Sequence, residues 1–535
     1  MGYKIGVDRK QLSLMPVCLD DYIPEEHICR VINAFTEQLD FAALGFKYAE
    51  SNKTGCRPYD PRIMLNLYIY GYLHRVRSSR RLAAETVRNI EVIWLMGELK
   101  PDDKTICNFR KDNTAALRKT FRAFVQMCRQ LGLYGGEVVA TDSMKVRAQN
   151  SLKNNYNETF IERELSRIEK QITEYLAALA AGDAAPSEEP SAPSGESLRA
   201  AVAALQGGQL EFTGMQEPET AAPAPVSAPE SPPVPSGSGT EEAGGMAAAS
   251  ADPVKAALAR LHGRKLALEG LKERVQQAGE VSLVDPDSRV MRSGGDERKL
   301  DVRYNMHTSV DSKHHLIVDF EVSSSSSDAG NLAAMSAHVK AALGVSTFIH
   351  LADKGYYDGQ DIAACELSGV DCLVAKPAAG GVQKGEGFRK EDFAYDRARD
   401  VYICPCQQEL AYKRTQHKNG GKEYKVYAHY AACNACPRKA ECTTYKYREI
   451  WRLTCQDTLD LVDERTRGNK ELYRKRQEIV EHVFGTVKSV WGYKQMLCRG
   501  KPKVEAEMSL AYLAYNMRRY INIRQEMKKK EGVAA

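Results

Sequence analysis

The apolar positions of this chain change period several times, and each change predicts an element. Up to about residue 134 they recur at helical spacing. Met64, Leu67, Tyr68 and Tyr72 follow an Asp60-Pro61 helix start, and Val92 and Leu95 lie on a second helix. After Pro101-Asp102-Asp103, Leu117, Phe121, Phe124, Cys128 and Leu131 form one stripe. From Gly136 the texture becomes strand, in VVATDSMKVRA around Asp142. It then reverts to helix. Ile161, Leu165, Ile168, Ile172, Tyr175 and Leu179 alternate spacings of four and three, while Val254, Leu261, Leu268 and Val275 repeat every seven, with Leu258 beside them. Two such arms predict an antiparallel helical hairpin.

Strand texture returns with YNMHTSV (Tyr304 to Val310) and LIVDFEV (Leu316 to Val322), a β-hairpin signal across Asp311-Ser312-Lys313-His314. A helix (Asn331 to Leu343) leads to the strand of STFIHLADKGYYD, which ends on Asp353. Another helix (Gly359 to Leu367) and the strand VDCLVAKP (Val370 to Pro377) follow. This order predicts the α/β class with a mixed sheet, and it resembles an RNase H-like catalytic core interrupted by insertions. The expected division is an all-helical N-terminal, DNA-binding domain at 1–134; a first core segment at 135–151; a helical-hairpin insertion at 152–299; a second core segment at 300–377; a cysteine-rich insertion at 378–460; and catalytic C-terminal helices with a basic tail at 461–535. The Arg-rich bend RVRSSRRL (Arg75 to Leu82) suits a helix-turn-helix reader, although any helical bundle shows the same pattern.

Composition changes this picture at one place. The Pro/Ala/Ser/Gly/Glu-rich tract 184–252, at the tip of the hairpin, has too few large apolar residues to pack and is expected to be disordered. Between Ala181 and Pro253 eleven acidic residues face one basic residue, Arg199, so a formal charge of +5 for the chain leaves about +15 on the remainder. A basic body suits a nucleic-acid partner; a merely soluble basic protein is the competing reading. No apolar run approaches the ~20 residues of a membrane span and no signal peptide precedes the start, so the expectation is a soluble, intracellular protein with no membrane partner.

Five of the fourteen cysteines fall between Cys404 and Cys442. In a reducing compartment that clustering argues metal rather than disulfides. Cys404, Cys433, Cys436 and Cys442 are the expected ligands of a structural zinc, with Cys406 as the substitute and His417 and His429 as lesser candidates. Four thiolates leave no open position for catalysis.

Asp142 and Asp353 each read as closing an apolar strand, where an acid is costly unless paired or metal-bound. A strand-end aspartate is more often a cap or turn former. Glu481, in RKRQEIVEHVFGTVK, lies on a helix with Arg474 and Lys488 one heptad to either side. Two strand-borne Asp and one helix-borne Glu can hold two divalent cations about 4 Å apart for in-line displacement at phosphorus.

ATDS at Asp142, LADKGYYD at Asp353 and IVEHVFGTVK at Glu481 resemble the three acidic motifs of DDE transposases from bacterial insertion sequences. YDPRIMLNLYIYGYL and PDDKTICNFRK resemble that family's helical N-terminal domain. The resemblance implies that Asp142, Asp353 and Glu481 are catalytic and bind two Mg²⁺ or Mn²⁺ ions. It also implies that the partners are the element's terminal repeats and target DNA, and that the protein acts at the bacterial nucleoid, at least as a homodimer on DNA. A DNA-binding protein derived from such an enzyme, or a hydrolysis-only nuclease, are the alternatives. In the family's helix motif Tyr473 and Arg476 are correctly spaced, as are Glu481 and Lys488, but four residues rather than three separate Arg476 from Glu481. Helix geometry then turns Arg476 away and favours Arg474, with Lys488 expected on a DNA phosphate and Tyr473 beside a sugar or base.

Overall fold

The computed structural model describes residues 18–50, 57–183, 253–292, 300–377, 387–418 and 421–533. The tract 184–252 lies outside the described residues. The chain divides into two compact units, one of Met1–Tyr156 with Glu280–Ala535 and the other of Asn157–Gly279.

The N-terminal helices are α1 (Ile28–Glu37), α2 (Phe41–Leu44), α3 (Pro61–Leu73), α4 (Ser79–Arg88), α5 (Ile90–Met96), α6 (Asp103–Asp112) and α7 (Thr114–Gln130). Two of their starts are those signalled in sequence: the Asp60 carboxylate accepts the Arg62 N–H at 2.8 Å, and that of Asp102 accepts the Thr105 N–H at 2.6 Å. The stripe expected on the helix begun at Asp102 lies instead on α7, a separate helix, with Leu131 exposed beyond its end. The stripe read on α3 understates its burial, since every residue from Met64 to Leu73 is buried. A helix apolar all round must be covered all round. The cover comes from the far end of the chain, because the last long helix (Lys501–Val533) packs on both α3 and α7. It is itself buried from Ala506 through Met517.

In the second unit, α8 (Glu158–Asp183) and α9 (Pro253–Ala278) lie along each other. The seam buries Ile161, Ile168, Ile172, Leu268 and Val275, as the heptads predict, and adds Leu271. Arg264 and Lys265 pair with Glu164 and Glu169 at 3.1 and 2.8 Å across it.

The sheet is built from β1 (Val138–Arg147), β4 (Arg289–Arg292), β5 (Leu300–Asp311), β6 (Ile317–Ser323), β7 (Phe348–Ala352) and β8 (Val370–Val374), while β2 (Asn155–Asn157) and β3 (Glu280–Ser282) form a separate two-stranded ladder. β1 runs antiparallel to β5 and parallel to β7, and β7 is parallel to β8. β6 and β4 share one edge of β5 in series, so the order through the sheet is β6-β5-β1-β7-β8. A mixed sheet in this order, with α10 (Leu332–Leu343) and α11 (Gly359–Leu367) as crossovers, is consistent with an RNase H-like core.

A second sheet follows, ordered β13-β12-β11-β10-β9, from β9 (Ala394–Asp396), β10 (Val401–Ile403), β11 (Glu409–Lys418), β12 (Lys422–Ala428) and β13 (Glu449–Leu453). Its core is small: Phe393, Tyr402, Leu410, Tyr427 and Ile450. Two short helices, α12 (Tyr430–Asn434) and α13 (Lys439–Cys442), lie between its last strands. The chain then returns through α14 (Gln456–Gly468) on β8, α15 (Lys470–Phe484) on β1, a π-helical turn (Gly485–Val490) and the long helix already described, α16. No helix among the described residues is long and apolar enough to cross a membrane.

Candidate active site

β1 and β7 are neighbouring parallel strands, and each brings one aspartate to the same locality. Asp142 does not close its strand as the apolar run suggested. It lies in the middle of β1, opposite Thr308 of β5. The polar continuation Ser143-Met144-Lys145 stays in the ladder because β5 extends past it on the other side. Asp353 follows the last residue of β7 and starts a short 3₁₀ turn, Lys354–Tyr356, without capping it. The turn-forming role that competes for any strand-end aspartate is therefore not the one its carboxylate performs.

One side chain joins the two acids. Arg476, on α15 and only 9% exposed, donates from Nη1 to Asp142 Oδ2 at 2.9 Å and reaches Asp353 Oδ1 with Nη2 at 3.4 Å. The expectation that helix geometry turns Arg476 away in favour of Arg474 is overturned. Arg476 lies one turn before Val480 on the buried stripe with Ile479 and Val483, whereas Arg474 is exposed. The heptad alignment of Arg474, Glu481 and Lys488 also fails, since the π-helical turn at Gly485–Val490 changes the residues per turn between the last two. Tyr473 donates its hydroxyl to the Ala352 carbonyl at 3.2 Å, one residue before Asp353.

Electrostatics mark the pair as strained for charge. Burial pushes the Asp142 carboxyl from 3.8 up to about 6, and the charges of Asp353 and Asp328 add to the rise; the Ser143 N–H and Arg476 oppose it without cancelling it. Asp328 was not singled out from sequence, where it simply ends a serine run. It accepts from Asn305 Nδ2 at 2.8 Å and lies so close to the turn after Asp353 that a Cβ on Gly355 would meet its Oδ2 at 3.0 Å. Buried Tyr356, bonded to His307 Nδ1 at 2.7 Å, senses all three carboxylates, which, after burial, hold its phenol well above the ordinary range.

Glu481 is five residues beyond Arg476, about 140° round a regular helix, and is exposed. The guanidinium, not this carboxylate, stands between the aspartates. Its neighbour Glu478 lies close enough to His315, in the β5–β6 turn, to offset part of the fall in that imidazole's pKa caused by burial. Lys488 is half-buried, and burial, then Arg303 and Lys494, lower its pKa. Two carboxylates are hard oxygen donors of the kind that Mg²⁺ or Mn²⁺ takes, and Arg476 occupies the position between them.

The five clustered cysteines line a single cavity with His429. Cys436 and Cys406 approach to 3.7 Å between sulfurs. Burial raises the Cys442 thiol, and Cys433, Cys404 and Cys436 raise it further, so the four expected ligands feel one another. His429 instead caps α12, its Nδ1 accepting from the Ala432 N–H at 3.1 Å, and exposed His417 faces Glu423.

Two family models match the chain. Residues 17–112 match one described as Transposase domain (DUF772), and residues 403–521 match one described as Transposase DDE domain. The second spans Tyr473, Arg476, Glu481 and Lys488 but neither Asp142 nor Asp353. No curated protein gives a significant match.

Proposed function

Given a chain that belongs to the DDE transposases, enzymes that cut and join DNA with divalent metal ions, we propose that it binds the terminal repeats of an insertion sequence and transfers its ends to target DNA. The observation that carries the assignment of the site is the pair of carboxylates on adjacent parallel strands bridged by Arg476. Two magnesium or manganese ions on Asp142, Asp353 and Glu481 would activate the attacking oxygen and stabilise the leaving one. Arg476 holds the aspartates together against their own repulsion, and Glu481, exposed on the same helix, is the third acid. The site of Lys488 among Arg303 and Lys494 supports its role on a DNA phosphate; exposed Arg474 is a second candidate for such contacts, and Tyr473 fixes the backbone at Ala352.

Residues 1–134 are the DNA-reading domain in this proposal, and Cys404, Cys433, Cys436 and Cys442 hold a structural zinc, with Cys406 next in line. Two element ends require at least a homodimer on DNA, working at the nucleoid in the bacterial cytoplasm. The test is magnesium-dependent cleavage and joining of DNA carrying the element's flanking repeats. Cutting without joining would leave the hydrolysis-only nuclease, and binding without cutting would leave the non-catalytic DNA binder.

A further inference from the structure

Beside Asp353, on the side away from Asp142, the fold leaves a cavity of about 510 Å³. Its position follows from the sheet. Ala352 of β7 is in register with Val374 of β8, so Asp353 and Ala375 leave neighbouring parallel strands at the same level, about 4.8 Å apart. Ligands of open α/β sheets bind beyond these carboxyl ends. The walls are Val374, Ala375 and Lys376 from the end of β8, Asp463 and Arg467 from α14, and Lys470 and Tyr473 from the start of α15.

The charge of this cavity is unbalanced. Lys376, Arg467 and Lys470 are exposed cations, against one acid, Asp463, which is buried and already accepts from Tyr357 at 3.2 Å. Lys376 reaches that acid at 3.5 Å. Arg467 donates from Nε to the Asp463 carbonyl at 3.2 Å, and among the described residues its outer guanidinium nitrogens have no hydrogen-bond partner. Lys470 opens α15, where the helix dipole disfavours a cation. Its placement brings no gain to the helix, and an anion in front of it would be attracted by both the ammonium and the helix start. Tyr473 links the cavity to the reacting acids, since its hydroxyl holds Ala352 and its ring lies 5.9 Å from the Arg476 guanidinium.

We propose that this cavity is a phosphate subsite: Lys376, Arg467 and Lys470 seat the backbone of the DNA strand on the Asp353 side of the cleaved bond, one or two phosphates from it. The proposal rests on Asp142 and Asp353 being the reacting centre. It adds a register function, because a strand held at a fixed distance presents one phosphodiester and not its neighbours.

The test uses the full chain carrying Asp142→Asn, which blocks cutting, and duplexes of one element end with a single neutral methylphosphonate at successive positions around the cut. Binding should fall about 10-fold at one or two positions next to the cut. In the same background Lys376→Gln/Arg467→Gln/Lys470→Gln should abolish that position dependence and reduce the salt slope of binding by about one to two. Arg467→Lys, which keeps the charge, should behave like its parent, and melting curves should show all variants folded because the three side chains are exposed. An unchanged methylphosphonate profile in the triple variant would overturn the proposal, as would an equal loss at every position, which would mean diffuse attraction. Failure of the underlying site assignment is read separately, as normal cutting by Asp353→Asn in the otherwise unaltered chain.

Discussion

The acid pair and the thiol cluster both gather side chains of one kind, but they sit on very different foundations. Asp142 and Asp353 project from central strands of a large core, and a protein cation, Arg476, already sits between them. The cysteines surround a cavity beside a sheet whose core has five residues, and Lys439 and Arg448 share its lining. The first arrangement keeps its geometry through a protein cation on a large core. The second rests on a small core, where a bound ion would contribute most to stability, as in small metal-stapled folds.

The sharpest way to break this contrast is to remove the acids. Asp142→Asn or Asp353→Asn should lower single-turnover cleavage by about three orders of magnitude while the fold and DNA binding are retained. Glu481→Gln should do the same and Glu478→Gln should not; the reverse pattern would mean that α15 sits in another register in the active complex. Removing metal should have the complementary signature. Purified protein should hold about one zinc per chain, and chelation should speed hydrogen exchange across residues 387–453 while leaving β1, β5 and β7 protected. Zinc-free protein with an unchanged exchange pattern would end the comparison.

Smaller effects refine it. Arg476→Ala should destabilise the ion-free protein by about 2 kcal/mol, measured by denaturant unfolding, because it leaves two close carboxylates without their cation. Arg474→Ala should stay within about 0.5 kcal/mol. A pH dependence of about the size of the Arg476 effect should accompany these. Asp142 takes up its proton at about 6 when folded and 3.8 ordinarily. The folded state therefore binds more protons between these values, and stability from this group falls as pH rises from about 4 to 6, by about 2 kcal/mol after allowance for its partial exposure. Asp142→Asn should flatten that slope. Divalent-ion binding should show the opposite trend, strengthening as pH rises through about 6.

What was legible in the sequence follows the range of the interactions. Local signals located the helix starts at Asp60 and Asp102, the β5–β6 hairpin and the strands carrying both aspartates, because capping and alternation act over a few residues. Long-range effects were hidden. β1 continues past Asp142 only because β5 pairs with it, and α3 is buried all round only because α16 covers it. The choice between Arg474 and Arg476 depended on which stripe of α15 is inward, and a constant heptad carried through a π-helical turn gave the wrong one. Asp328 had no local signature, since its relevance arises from the close approach of the Gly355 turn.

The burial of α16 against α3 and α7 also has a consequence for synthesis. The helices that match the transposase domain at residues 17–112 leave the ribosome well before the segment that covers them, Ala506 to Met517. At about 5–20 residues per second, these helices wait tens of seconds for their packing partner. A messenger truncated anywhere before that helix yields a chain with an exposed apolar α3. Translation through that helix closes the fold, so a product shortened before it should be prone to aggregation or proteolysis.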